Sequence, residues 1–348
     1  MPSADSVIDF RGLTLLPGFI DIHIHGAIGV DTMAASSADL GRVSQFLASR
    51  GVTGWLPTLV PAPADNYARA IKAIGEAAGS TSGAHILGVH YEGPFVNAAQ
   101  CGALRSQFLR SFSSAADLDD LPQIAEHPGA KHMATVAPEV DGGIELVHEL
   151  TRRGWIVSIG HTRASFDVLA KAFDAGAHHM THFMNAMAPL HHRAPGPVGW
   201  GLSRDDVTCD LIADGIHLDP QVLRLLLNLK GADSLSLISD AVAAAGLGDG
   251  DYEIWGETIT VKDGRTSNAR GAIAGSVITM LDAVRMMLSV DASEIEVARM
   301  AATNPARLLG LDQDRGSIEE GKRADLVALD DAANVRFTII GGQVAFEA

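Results

Sequence analysis

His23-Ile24-His25 sets two imidazoles two residues apart inside the apolar run GFIDIHIHG. In an extended strand residues two apart project to one side, so both rings face one place, with Asp21 on the same side. Five further groups stand at or just past the ends of other apolar runs: Glu92 in HYEGP, His161 in GHT, His182 in THF, His217 in ADGIH and Asp240 in LISDA. Singly, each has an ordinary explanation, a turn glutamate, a satisfied structural histidine or an aspartate N-cap. Jointly, imidazoles and carboxylates withdrawn from water require compensation, and a divalent cation supplies it. A glutamate among histidines neutralises a dication and can bridge two. Asp240 reads as a base beside a metal-activated water, whose pKa zinc lowers to about 7. The expected ligands are therefore His23, His25, Glu92, His161, His182 and Asp240, with Asp240 also the catalytic acid/base. Such N/O donors suit zinc first, and also iron, manganese or cobalt, as one or two ions per subunit.

A second constellation runs from Asn185-Ala186-Met187 through His191-His192-Arg193-Ala194-Pro195-Gly196. Arg193 lies in a Gly/Pro-stiffened segment and His217 lies one strand along. On an acidic chain a fixed Arg/His cluster suits an anionic substrate group such as a phosphate, and a solvated loop with incidental charges is the competing explanation. His85, His127, His132, His148 and His178 fall at strand starts or in helices. Lys131 begins a strand rather than ending one, which argues against a carboxylated-lysine bridge. Cys101 and Cys209 lack a positioned base.

The elements that must position these groups repeat one pattern. A helical stretch ends at a glycine, at Gly51, Gly154, Gly176 and Gly231, and a short apolar run follows. Glycine just past a helix supplies the left-handed cap. Amphipathic faces such as Val168, Leu169, Ala172 and Phe173, or Val222, Leu223 and Leu226, precede the junctions, and Asp219-Pro220 opens the latter helix. The β runs number eight, GFIDIHIHG, VTGWLPTLV, HILGVHYEG, HMATVAPE, WIVSIGHT, HHMTHFMNAM, TCDLIADGIHL and LSLISDAVAAAG. Eight parallel strands with helical crossovers close a (β/α)8 TIM-type barrel, whose chemistry lies at the C-terminal strand ends. A doubly wound sheet is disfavoured because no GxGxxG follows an early strand.

The connection after the sixth run, APLHHRAPGPVGWG, reads as a Pro/Gly-rich loop. The stretch near 251–272 reads as a β-hairpin insertion turning at Lys262-Asp263-Gly264, and SVITMLDAVRMML as the last barrel helix. The C-terminal β alternation has no partner inside a closed barrel. Residues 1–16 and 317–348 are therefore expected to form a small, reduced accessory β domain beside a barrel of residues 17–316.

The chain has 348 residues, a formal charge of −16 and 47% hydrophobic residues. That composition supports a large core, and the acid excess argues against nucleic-acid binding. Two cysteines make no disulfide framework. No signal-peptide pattern and no apolar stretch of about 20 residues is seen, so a cytoplasmic protein without membrane contact is expected.

The ordered motifs GFIDIHIHG, HYEGPFVN, GHT, THFMNAM, HHRAPG, LIADGIH and LISDA resemble the N-acetylglucosamine-6-phosphate deacetylases of the amidohydrolase superfamily. The tail NPARLLGL…GSIEEGKRADLVALD is similar to the superfamily's C-terminal signature. The resemblance implies a metal-dependent barrel with a small β domain, usually dimeric, that removes acetate from a hexosamine amide. It implies Glu92, His161 and His182 as the principal metal site, with His23 and His25 matching relatives that hold a second ion, and Asp240 as acid/base. Asn185, Ala186, Arg193 and His217 match sugar-phosphate positions, Arg193 and His217 with the option of reaching across a dimer interface. Ala103 and Ile273 fall near backbone contacts to the sugar. Relatives usually carry histidine in a Gly-x-His step after EGPF, where this chain has Gly102-Ala103-Leu104. Leucine cannot donate to a carbonyl, so either a second ion at His23/His25 polarises it or the acyl sugar differs.

The expected reaction is hydrolysis of an N-acetyl hexosamine 6-phosphate to the amino sugar phosphate, by a homodimer acting on a small-molecule substrate. Its rivals are another amidohydrolase reaction (a deaminase or cyclic amidase) and a metal-free scaffold.

Overall fold

Eight parallel strands follow one another round a barrel in the computed structural model, which describes residues 8–79, 83–125 and 127–348. They are Phe19–Ile24, Val52–Leu59, Gly88–Glu92, Lys131–Val136, Ile156–Ile159, His179–Met180, Thr208–Ile212 and Leu235–Ile238. Each pairs with the next in parallel register. The seam between the eighth and first strands is made just past their ends. Ile24 bridges Ala241, and the Asp240 N–H donates to the His23 carbonyl at 2.9 Å.

A parallel strand covered by helices outside and side chains inside is buried on both faces, which is why these segments read as continuous apolar runs. Every residue of Val52–Leu59 is buried. The helices turn the expected faces inward, Leu169 and Ala172 on one and Leu223 and Leu226 on another. The Asp219 carboxylate accepts from the Gln221 N–H and Pro220 occupies the first turn. All four junction glycines have positive φ. Gly176 is also fixed by space, because a Cβ there would fall 2.6 Å from the Thr151 hydroxyl. Inside the barrel, Ile20, Ile22, Leu56 and Met133 pack with Ala306 and Leu309. Asn304 donates to the Ala232 and Leu235 carbonyls at the start of the eighth strand. The NPARLL segment thus lies at the N-terminal end and leaves the other end for chemistry.

Thr14–Pro17 pairs antiparallel with Leu326–Leu329, and Val335–Ile340 and Gln343–Glu347 complete a four-stranded sheet built from both chain ends. Of the segment 1–16 assigned to it from sequence, residues 1–7 lie outside the described residues. Among the described residues no helix is long and apolar enough to cross a membrane.

Two local expectations need correction. The connection after the sixth strand holds a helix, Gly196–Leu202, preceded by Pro195. Pro197 sits in its first turn, where a missing N–H costs nothing. Gly199 and Gly201 let it press onto Pro195 and onto Met180 and Phe183, positions a Cβ would invade. The 251–272 insertion is a three-stranded sheet, Gly250–Ile254, Glu257–Lys262 and Arg265–Ser267, with an additional turn at Trp255-Gly256 besides the expected one at Asp263-Gly264. The helix Met280–Ser289 follows the eighth strand and packs against it, as expected of the last barrel helix. A further helical segment runs from Glu294 to Leu308, through a π-turn at Arg299–Thr303.

Candidate active site

The alternation that pairs His23 with His25 carries both rings to the mouth of the first strand, with their Nε2 atoms 3.2 Å apart. Glu92 ends the third strand opposite them. Its Oε2 lies 3.3 Å from His25 Nε2, and its Oε1 lies 3.7 Å from His23 Nε2, 2.8 Å from His161 Nε2 and 3.0 Å from His182 Nε2. The Nε2 atoms of His161 and His182 are 3.1 Å apart. Two triads able to hold a cation result, His23/His25/Glu92 and Glu92/His161/His182, with Glu92 common to both. Asp240 Oδ1 completes the cluster at 3.3 Å from His23 Nε2 and 3.1 Å from His25 Nε2.

His161, His182 and Asp240 have φ of +48°, +31° and +49°, just past the ends of their strands. Non-glycine residues avoid this region, and strain of this kind concentrates where surrounding structure enforces a functional geometry. Here it turns His161 and His182 toward Glu92, and Asp240 toward His23 and His25. The backbone is held by neighbours: the His182 N–H donates to the Asp210 carboxylate, and the Ser276 N–H donates to the Asp240 carbonyl at 2.7 Å.

Electrostatics points to the same conclusion. Burial opposes charge on His25, yet hydrogen bonds with Asp240 and Glu92 outweigh it and raise its pKa to about 10. His182, likewise buried, is raised to about 9 by Glu92. Burial would raise Glu92, but His23, His161 and His182 hold it well below the usual carboxylate range. Imidazole lone pairs facing one another at 3.1–3.2 Å require a proton or a cation between them. The donor set therefore fits a divalent metal.

Beneath the cluster lies a buried polar layer that sequence reasoning missed. His90 is hydrogen-bonded to the Thr58 and Thr135 hydroxyls, and its ring meets His23 edge-on at 4.6 Å. Burial holds this imidazole well below its ordinary pKa, so it is neutral. From Thr135 the hydroxyl chain continues through Thr181 to Ser158. Asp21, expected from the alternation to share the side of His23 and His25, is also internal. It accepts from the Ser239 hydroxyl at 2.5 Å, and burial raises its pKa to about 6.

The cluster opens into a cavity of about 260 Å3 that His25, Glu92, His161, His182 and Asp240 line on the metal side. Ala103, Asn185, Ala186, His217 and Ile273 form other parts of its wall, with Leu104 and Trp255. His23 is fully buried beside it. His217 is fixed by Asp214, whose carboxylate accepts from Nδ1 at 2.7 Å and also from the His217 N–H. Asp214, like Trp255 and His90, was not singled out from sequence. Arg193 is exposed and lies outside its own chain's cavity, on the loop with His191 and His192.

Comparison with known proteins adds an independent line. Residues 14–345 match the model of the amidohydrolase family. The chain is 39% identical over 340 residues to the N-acetylglucosamine-6-phosphate deacetylase of Bacillus subtilis (strain 168), covering 95% of this chain and 84% of that protein. It is 36% identical over 346 residues to the N-acetylgalactosamine-6-phosphate deacetylase of Escherichia coli O157:H7, covering 99% and 91%. Among solved structures, a mutant N-acetyl-D-glucosamine-6-phosphate deacetylase from Mycobacterium smegmatis, in complex with N-acetyl-D-glucosamine-6-phosphate, superposes with a TM-score of 0.88 at 32% identity. The match covers 96% of this chain and 87% of that one.

Proposed function

The chain belongs to the amidohydrolase family and, within it, to the N-acetylglucosamine-6-phosphate deacetylases, and on that premise we propose that it hydrolyses N-acetylglucosamine 6-phosphate to glucosamine 6-phosphate and acetate. The observation that carries this reading is the sharing of Glu92 between two histidine pairs, with the Asp240 carboxylate at their edge.

The family is metal-dependent, and His23, His25, Glu92, His161 and His182 are the residues that would hold the ions, zinc first among the candidates. A divalent cation bound there supplies a Lewis acid for the amide carbonyl and lowers the pKa of water toward about 7. Asp240 takes the proton of the attacking water and returns it to the departing amine. Its carboxylate is kept ionised by His23 and His25, which outweigh the burial that would protonate it. The C–N bond breaks, the water oxygen stays with the acyl carbon, and acetate leaves.

His217 would hold the sugar phosphate. With Asp214 accepting from Nδ1, the ring is held so that Nε2 is the nitrogen left to donate to a phosphate. Asn185, Ala186, Ala103 and Ile273 border the remaining sugar positions. Arg193, exposed and absent from the lining of its own cavity, would serve a neighbouring subunit's phosphate in a homodimer. A cytoplasmic location follows from this metabolic reading. The 4-epimer, N-acetylgalactosamine 6-phosphate, is a second reading, favoured by the relative of that name.

Acetate release is measured from N-acetylglucosamine and N-acetylgalactosamine with and without the 6-phosphate. Turnover confined to the phosphorylated sugars supports the reading. Equal turnover without phosphate overturns the substrate class.

A further inference from the structure

Trp255 stands at the tip of the inserted sheet, in the two-residue turn joining Gly250–Ile254 to Glu257–Lys262. Its φ is +55° and that of Gly256 is +77°. Glycine, asparagine or aspartate fills such a turn readily, whereas a bulky residue there is strained. The indole meets the His25 ring edge-on, centroids 5.0 Å apart, and packs beside the apolar cluster of Val242, Ile254 and Ile259. It also separates two spaces. On one side is the 260 Å3 cavity over the metal ligands, and on the other a cavity of about 910 Å3 bounded by Asp31, Arg69 and Arg105. Among the described residues, Trp255 is the one that the two linings share.

On the deacetylase reading above, the sugar phosphate lies toward His217 and Asn185, and the amide carbonyl lies over the Glu92 cluster. An acyl chain leaves its carbonyl on the side away from the amine, and therefore away from the sugar. Trp255 and the buried, apolar Leu104 belong to the lining outside the positions assigned to the sugar and the metal. We propose that Trp255, backed by Leu104, is the wall that restricts the acyl group to acetyl size, and that removing the indole joins the two cavities and admits longer acyl chains. The inference rests on the deacetylase reading and extends it to the acyl group.

The test measures release of the free amine from N-acetyl-, N-propionyl- and N-butyrylglucosamine 6-phosphate by the metal-loaded wild type and by W255G, W255N and W255F. Glycine and asparagine both suit the turn, and metal content and circular dichroism confirm folding. In the wild type, kcat/KM for the butyryl sugar is expected to be about 100-fold below that for the acetyl sugar. The butyryl-to-acetyl ratio should rise at least tenfold in W255G and W255N and stay within about threefold of wild type in W255F, which keeps an aromatic wall. A ratio unmoved in both small variants overturns the wall while leaving the deacetylase reading intact. So does an equal loss on all three sugars, which would make Trp255 a support of His25 rather than a boundary. A wild type inert on all three overturns the deacetylase reading and the wall with it.

Discussion

Asp240 is joined to His23 twice. Its N–H donates to the His23 carbonyl at 2.9 Å and its Oδ1 lies 3.3 Å from His23 Nε2. The backbone bond lies on the seam that closes the barrel, so the acid/base candidate is placed by closure itself. Strands one and eight are far apart in the chain and adjacent in space, which is how a residue from the last third meets a histidine from the first turn of the barrel.

Asp240→Asn keeps the shape of the side chain and removes its proton-accepting charge. Acetate release should fall about 10²–10⁴-fold, the usual contribution of general acid–base catalysis. Metal content measured by elemental analysis should be unchanged, since five other ligand candidates remain.

Gly275 has a φ of +59°, and a Cβ there would lie 2.8 Å from the Asp240 carbonyl oxygen and 2.7 Å from a Val242 methyl. Gly275→Ala must therefore displace the segment that holds Asp240. We expect kcat to fall at least about tenfold, and denaturant titration to show a loss of roughly 1–3 kcal/mol.

His217→Ala removes the side chain that Asp214 orients toward the cavity. A charge-assisted hydrogen bond to phosphate is worth about 1.5–3 kcal/mol, so KM for the phosphorylated sugar should rise roughly 10- to 100-fold. Asp214→Asn should give a smaller rise in the same direction. Steady-state kinetics on phosphorylated and plain sugars separates this from a general loss of activity.

The visibility of these residues in the sequence followed from strand alternation. His23 and His25 share a side by that rule, and the glycine-capped junctions mark the starts of the strands that lead to His161, His182 and Asp240, while Gly93-Pro94 marks the end of the strand that carries Glu92. The same rule pairs His90 with Glu92, so His90 was in principle legible. It points inward too, one layer deeper, where threonine hydroxyls rather than a cation satisfy it. Trp255 was not legible, because only docking of the inserted sheet against the barrel brings its turn to His25. The helix Gly196–Leu202 was hidden by its own composition, since prolines in a first turn and glycines at a tight contact look like a loop when neither contact is visible.

His132 supplies a pH dependence away from the site. Its Nε2 accepts from the Ile124 N–H and its ring lies against Trp155. Burial lowers its pKa to about 4, below the ordinary imidazole value of 6.5. The folded state therefore holds it neutral while the unfolded state binds a proton. The stability it contributes is complete above pH 6.5 and is lost as pH falls toward 4. Urea titrations between pH 7.5 and 4.5 should show a smaller decline for His132→Gln than for the wild type.

We propose that side chains from four strands hold a catalytic cation around Glu92. It is tested most directly by acetate release from N-acetylglucosamine 6-phosphate after dialysis against a chelator, with residual metal quantified. The predicted result is loss of turnover in the metal-depleted protein and its return on adding zinc to the wild type but not to Glu92→Gln. Full turnover by protein shown to contain no metal would contradict it.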